Sequence, residues 1–172
     1  FERVFARQRR SARLAVQRAK DGQIMVGFRN AGSRRIEPIT QCAVLAAPLP
    51  EIVAALPNWM VNFPPGIRLF EVELLSADNA VAIAIEASRA PSASERETML
   101  AELPFSDAQL WWKTEKQTAF LRLDAGDQAL SVALTDSLQL QVEPGQFVQV
   151  NGQINRQMID QVLDLVRKTN SE

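Results

Sequence analysis

Hydrophobic and polar residues alternate over several short stretches of the chain and recur at helical spacing over a few others. Arg13 to Arg18 and Gln23 to Arg29 read as extended segments. The intervening Ala19-Lys20-Asp21-Gly22 carries an Asp-Gly pair, which tolerates positive φ in a hairpin turn. Asn30 to Ser33 is a loop, and Ile36 to Ile39 a short strand interrupted by Pro38. Pro48-Leu49-Pro50 opens a helix that should run to about Leu56, where Pro57 ends it. Arg68 to Leu75 and Ala80 to Ala87 predict a second hairpin about Ser76 to Asn79. Val81, Ile83 and Ile85 share one face of it, and Ala80, Ala82 and Ala84 the other, small enough to lie beneath a helix. Ser92-Ala93-Ser94-Glu95 has capping-box spacing and predicts a helix from Ala93 to Leu103, stopped by Pro104. Three or four further strands are predicted, at Gln109 to Lys113, Thr118 to Leu123, Ala129 to Leu134 and Leu138 to Val142. Asn151 can cap a final helix whose Ile154, Met158, Val162 and Val166 recur every fourth position, with Ile159 and Leu163 beside them; that amphipathic helix needs a partner surface. Strands joined mainly by hairpins, with helices interspersed, indicate an α+β fold: a largely antiparallel sheet with flanking helices.

Composition narrows the function classes. The 172 residues, 47% hydrophobic and 23% charged, suit one globular domain or one domain with an appendage. The longest apolar runs, Ala43 to Leu49 and Val81 to Ile85, are far below the roughly 20 residues a membrane-spanning helix needs. With no signal-peptide pattern, the expectation is a cytoplasmic protein with no membrane partner. The chain starts at Phe1 without a Met, so a trimmed piece is expected. Without His or Tyr it holds no internal Ser-His-Asp or Cys-His pair and no His-ligated zinc, and its one cysteine excludes an internal disulfide. Net charge is -1, yet residues 1–36 hold ten Arg and Lys against two acids, and residues 37–172 nine against eighteen. Such polarisation fits a basic end meeting a polyanion, since arginine forks bind phosphate and release counterions; a solvated charged strand is the alternative.

Few residues carry chemistry by themselves. Alternation in Trp111-Trp112 places one ring in the core and one at the surface, where a base-stacking platform is conceivable. The acids show no motif spacing, and the seven scattered glycines form no phosphate loop. Taken alone, Cys42 reads as a small buried hydrophobe.

Three stretches in order do carry a likeness. Arg9-Arg10-Ser11-Ala12-Arg13-Leu14-Ala15-Val16 comes first. Val26-Gly27-Phe28-Arg29-Asn30-Ala31-Gly32-Ser33, leading to Ile39-Thr40-Gln41-Cys42-Ala43-Val44-Leu45, is second, and Phe147-Val148-Gln149-Val150-Asn151 third. Together they resemble the bacterial 23S ribosomal RNA 5-methyluridine methyltransferases. In that family an oligonucleotide-binding TRAM domain precedes a central RNA-contacting domain with an iron-sulfur cluster, and a C-terminal Rossmann-like domain binds S-adenosylmethionine.

The resemblance implies that residues 1–150 are the central domain and that residues 151–172 form the helix leading into a missing methyltransferase domain. Ribosomal RNA is the implied partner, and a monomer is expected. Arg9, Arg10, Arg13 and Arg29 would contact phosphates, and Phe147 an unpaired base. Gln149 would lie by the methyl donor and the flipped uracil, where an amide offers both a donor and an acceptor. The alternative for this segment is a strand end followed by a helix cap. Cys42 matches the last of four cysteine ligands of the [4Fe-4S] cluster, although Ala43 replaces the usual proline after it, and one thiolate cannot hold four irons. The family's cysteine nucleophile, which adds to uracil C6, and its carboxylate base belong to the C-terminal domain. The expectation is therefore part of a SAM-dependent rRNA (uracil-C5)-methyltransferase, itself catalytically silent and carrying neither S-adenosylmethionine nor a cluster. Its rival is a stand-alone RNA-binding or interaction module without catalysis.

Overall fold

The alternating stretches pair into a single seven-stranded sheet of order β3-β2-β1-β4-β5-β6-β7, in a computed structural model that describes residues 8–33 and 35–169. The sequence expectations for residues 1–7, Arg34 and residues 170–172 lie outside the described residues. Strands β1 (Ser11–Arg18) and β2 (Ile24–Arg29) form the expected hairpin: Gly22 adopts φ +89°, and the Gln23 N–H donates to Asp21 Oδ1 at 3.1 Å. β3 (Ile36–Pro38) pairs antiparallel outside β2, so close that a Cβ at Gly27 would collide with the backbone carbonyl of Glu37. On its other side β1 pairs with β4 (Leu69–Ser76), which forms the second hairpin with β5 (Val81–Ala87).

β5 and β6 (Ala108–Thr114) run parallel, joined through helix α2 (Ala93–Ala101). The other pairings in the sheet, including β6 with β7 (Leu121–Arg122), are antiparallel, so the sheet is largely antiparallel as expected. Only Leu121 and Arg122 of the predicted Thr118 to Leu123 strand are extended. α2 begins with the capping box: Ser92 Oγ accepts from Glu95 N at 3.3 Å, and the Glu95 carboxylate accepts from Ser92 N at 2.7 Å.

Helix α1 (Leu49–Met60) corrects the expectation of a stop at Pro57. A proline inside a helix removes one hydrogen bond, a cost of about 3 kcal/mol. Trp59 and Met60 are 4% and 0% exposed, and the Trp59 Nε1–H donates to the carbonyl of Met99 at 3.1 Å. Burying two large side chains, at about 1.5–3 kcal/mol each, carries the helix through. Its C-terminal carbonyls are met by an arginine of the basic segment: Arg18 donates to Met60 O, Val61 O and Phe63 O at 3.1, 3.1 and 2.8 Å.

One sheet face, carrying Leu14, Val72, Leu74, Ile83, Ile85, Leu110 and Trp112, packs in the main core with α1 and Met99 of α2. The opposite face holds a smaller core in which Leu75, Ala82, Ala84, Trp111 and Phe120 meet Leu130, Val132 and Val142. The last three come from the separate ribbon of β8 (Leu130–Ala133) and β9 (Gln139–Val142) and the end of its second strand. Two expectations are thereby corrected. Ala82 and Ala84 lie beneath a β-ribbon rather than a helix. Trp111 and Trp112 are both buried, at 8% and 2% exposure, because both faces of the sheet are covered here, so neither ring is a surface platform. The last helix, α3 (Gly152–Thr169), has no buried residue, and Ile154, Met158, Val162 and Val166 stand exposed along it.

Candidate nucleic-acid interface

The three stretches of the resemblance, far apart in sequence, meet in space. Residues 8–10 run between the other two: the Gln8 and Arg9 N–H groups donate to Val44 O at 3.0 and 2.9 Å, and Ala46 N–H donates to Arg9 O at 2.9 Å. On the other side Arg10 N–H donates to Val150 O at 2.9 Å, and Arg9 bridges to Leu45 and to Asn151. Asn151 locks the junction. Its Nδ2 donates to Gln8 Oε1 at 2.6 Å while its Oδ1 accepts from Ile154 N at 3.1 Å, which makes it the cap of α3 as its sequence position predicts.

Beside this junction opens a cavity of about 370 Å³. Arg9, Arg13, Cys42 and Phe147 all line it, so four predicted site residues from three separate segments share one wall. Phe28 lines it too, a residue that sequence reasoning misses. The alternation of β2 puts Phe28 on the side of the buried Val26, which reads as core, but next to the short edge strand β3 its ring stays 48% exposed. Phe147 is 87% exposed, and no core position explains an aromatic ring left so open.

Gln149 is half-buried and is not among the residues lining this cavity. Arg10 faces a separate pocket of about 270 Å³ with Asp78, Asn151 and Gly152. Arg29 lines a groove elsewhere on the sheet.

The four arginines differ in what holds their charge. Arg13 lies between two carboxylates of β4, with Nη2 2.8 Å from Glu73 and Nε 3.1 Å from Glu71. The hydrogen bond that Arg13 donates to Glu73 raises its pKa above the ordinary value, with attraction from Glu71 and Glu73 adding to it against the cost of burial. Burial pushes the Glu71 carboxyl above its usual range, opposed by Arg13. Glu73 also accepts from Gly145 N at 2.8 Å, tying the turn before Phe147 to the sheet. Arg10 pairs with Asp78 at 3.3 Å and packs so tightly on the start of α3 that a Cβ at Gly152 would collide with its guanidinium. Arg9 and Arg29 are exposed and make no ion pair among the described residues. Arg10 and Arg13 are therefore tied into the fold, whereas the charges of Arg9 and Arg29 stand in solvent.

Neither cofactor implied by the resemblance finds a complete set of partners here. Cys42 is a free, half-buried thiol, and among the described residues no group of three or more His, Cys, Asp or Glu could hold a metal ion. A four-iron cluster does not fit on these residues alone. The one parallel crossover among the described residues, β5–α2–β6, enters its helix through Ser88-Arg89-Ala90-Pro91-Ser92 rather than a glycine-rich turn, so it forms no phosphate-cradling loop. No helix among them is long and apolar enough to cross a membrane.

No protein-family model matches the chain. It is 36% identical over 167 residues to the 23S rRNA (uracil(1939)-C(5))-methyltransferase RlmD of Pseudomonas fluorescens, covering 95% of this chain and 35% of that protein. It is 38% identical over 157 residues to the Pseudomonas putida protein of the same name (90% and 34%) and 34% identical over 161 to the one from Shewanella amazonensis (91% and 35%). The chain thus spans about a third of the length of these curated relatives. Its fold is similar, at TM-score 0.67 and 17% identity, to that of the Pyrococcus abyssi tRNA (uracil-54, C5)-methyltransferase, solved in complex with S-adenosyl-L-homocysteine; the match covers 95% of this chain and 42% of that one. Over nine-tenths of its residues, then, the chain is a homologue of a one-third segment of the 23S rRNA uracil-C5 methyltransferases.

Proposed function

We propose that this chain is the RNA-contacting part of an S-adenosylmethionine-dependent rRNA (uracil-C5)-methyltransferase. The observation that carries the reading is the junction at Arg9, where three separate segments of the resemblance build one wall of one cavity. Arg9 offers an exposed fork to a phosphate, and Phe28 and Phe147 offer ring faces and edges to unstacked bases. Arg13, held by Glu71 and Glu73, keeps the wall in shape.

S-adenosylmethionine would supply the methyl group. From this chain Gln149 would border the donor and the target uracil with its amide, next to the start of α3. Cys42 would provide one thiolate of a four-iron cluster whose other ligands lie outside this sequence. The chain's own part in the reaction is to bind the RNA and present an unstacked base, in the cytoplasm and as a monomer.

The test is binding of the 23S rRNA segment around the uridine named in the relatives, measured by fluorescence anisotropy, against a permuted segment of equal length. The reading expects binding that weakens with salt, at least tenfold tighter for the native segment, with Phe147→Ala and Phe28→Ala removing most of that preference. Equal affinity for both segments, unchanged in the variants, would overturn it.

A further inference from the structure

Cations of the described residues fall into two groups. Arg10, Arg13, Arg89, Lys113, Arg122 and Arg167 each pair with a carboxylate. The others, Arg9 and Arg35 among them, pair with none among the described residues, and three of these, Arg18, Arg29 and Arg68, line a single groove of about 600 Å³ beside the second half of β1 and the start of β4. No Asp or Glu lines it; Val16, Gln17 and Phe70 are among its other wall residues.

The three charges reach it by different routes. Arg18 is anchored through Nη1 and Nη2 by backbone carbonyls, which leave its charge uncancelled, and its buried Nε has no hydrogen-bond partner. Arg68 is exposed and its guanidinium lies 5.2 Å from the Phe70 ring centroid, which holds the side chain over the groove while leaving its N–H groups in water. Arg29 is exposed at the end of β2. Three uncompensated guanidinium groups around one concave, acid-free surface raise the local potential and demand an anion.

We propose that this groove is a second RNA-binding surface, which holds the phosphate backbone of the same RNA away from the Arg9–Phe147 wall. The groove shares none of its lining residues with that wall. Phosphate fits better than an acidic peptide for two reasons. The guanidinium fork matches two phosphate oxygens, and the half-buried Phe70 ring beside Arg68 offers a stacking edge that an acidic peptide does not use. The inference rests on the RNA-binding reading above but concerns other residues, so the two can fail separately.

The experiment is a salt titration of the full chain with fluorescein-labelled poly(U) of sixteen nucleotides. Arg29→Gln combined with Arg68→Gln is compared with Arg9→Gln and with the parent. Both groove positions are exposed, so melting temperatures should coincide. Removing two charges that each neutralise a phosphate of a single strand flattens the slope of log K against log salt by about 1.4, which corresponds to about tenfold weaker binding near physiological salt. That result supports the groove. A double variant that binds like the parent, while Arg9→Gln weakens binding, overturns the groove and leaves the RNA reading intact. Failure of the parent itself to bind poly(U) overturns both. Displacement of the RNA by polyglutamate of equal charge as readily as by unlabelled poly(U) overturns the preference for phosphate.

Discussion

Replacing Trp111 by alanine separates a buried packing residue from a base-stacking surface. The Trp111 ring is 8% exposed between Ala82 and Ala84 of the sheet and Leu130, Val132 and Val142 at the ribbon. Its Nε1–H donates to Gln109 Oε1 at 3.2 Å, and Gln109, itself 4% exposed, donates onward to Gln128 O at 2.8 Å. Truncation of a buried tryptophan costs about 3–5 kcal/mol. The Gln109 oxygen left without its donor adds to that, at most about 1–3 kcal/mol where water cannot reach it. For a chain of this size each kcal/mol lowers the melting temperature by roughly 2–4 °C, so Trp111→Ala should melt roughly 6–32 °C lower, the upper end applying where water cannot reach Gln109. Urea unfolding followed by far-ultraviolet circular dichroism should register the same loss, and hydrogen exchange should show β8 and β9 opening first. RNA affinity, measured well below the new midpoint, should stay within twofold of the parent. A stability change below about 0.5 kcal/mol, the usual range for surface positions, together with weakened RNA binding, would refute the burial argument and restore Trp111 as a platform.

Arg18→Met should cost about 2–3 kcal/mol in urea unfolding, since three carbonyls at the end of α1 lose a charged donor and only water can replace it. The Glu95 carboxyl is held at about 2 by Arg89 and then by the Ser92 backbone, below the ordinary 4.5, so the stability it contributes is complete above pH 4.5 and is lost as the pH falls towards 2. Glu95→Gln should therefore flatten the melting-temperature profile within that window and leave the shape above it unchanged. Asn151→Ala should reduce helical circular dichroism more than it lowers the main unfolding midpoint, because it uncaps α3, which buries nothing, at about 0.5–2 kcal/mol.

Local signals in the sequence translated well. The Asp21-Gly22 turn, the Ser92–Glu95 box and the Asn151 cap each depend on residues within three positions, and each forms as read. What failed depends on distant partners. Alternation separates Trp111 from Trp112 but cannot say that a ribbon some twenty residues later covers the second face. Pro57 reads as a stop until the burial of Trp59 against Met99 is known. The basic segment reads as one charged surface, yet Arg13 finds Glu73 sixty positions away and Arg18 finds Phe63 forty-five away, so its charges divide between structure and surface only in the fold. Four of the proposed site residues share the cavity because the motif segments carrying them pair through their backbones, whereas Phe28 escapes notice because its alternation points to a core that ends at the sheet edge.

The proposal that the Arg9 junction is the RNA-contacting wall is tested most directly by photocrosslinking. The 23S rRNA segment carrying 4-thiouridine at single positions is irradiated with the full chain, and the crosslinked peptides are read by mass spectrometry. Crosslinks should fall on Phe28, on residues 42–45 and on Phe147, the positions that line the cavity or flank it, and should disappear when unlabelled segment is added in excess. Crosslinks confined to α3 or to the β8–β9 ribbon, with that wall untouched, would contradict the account.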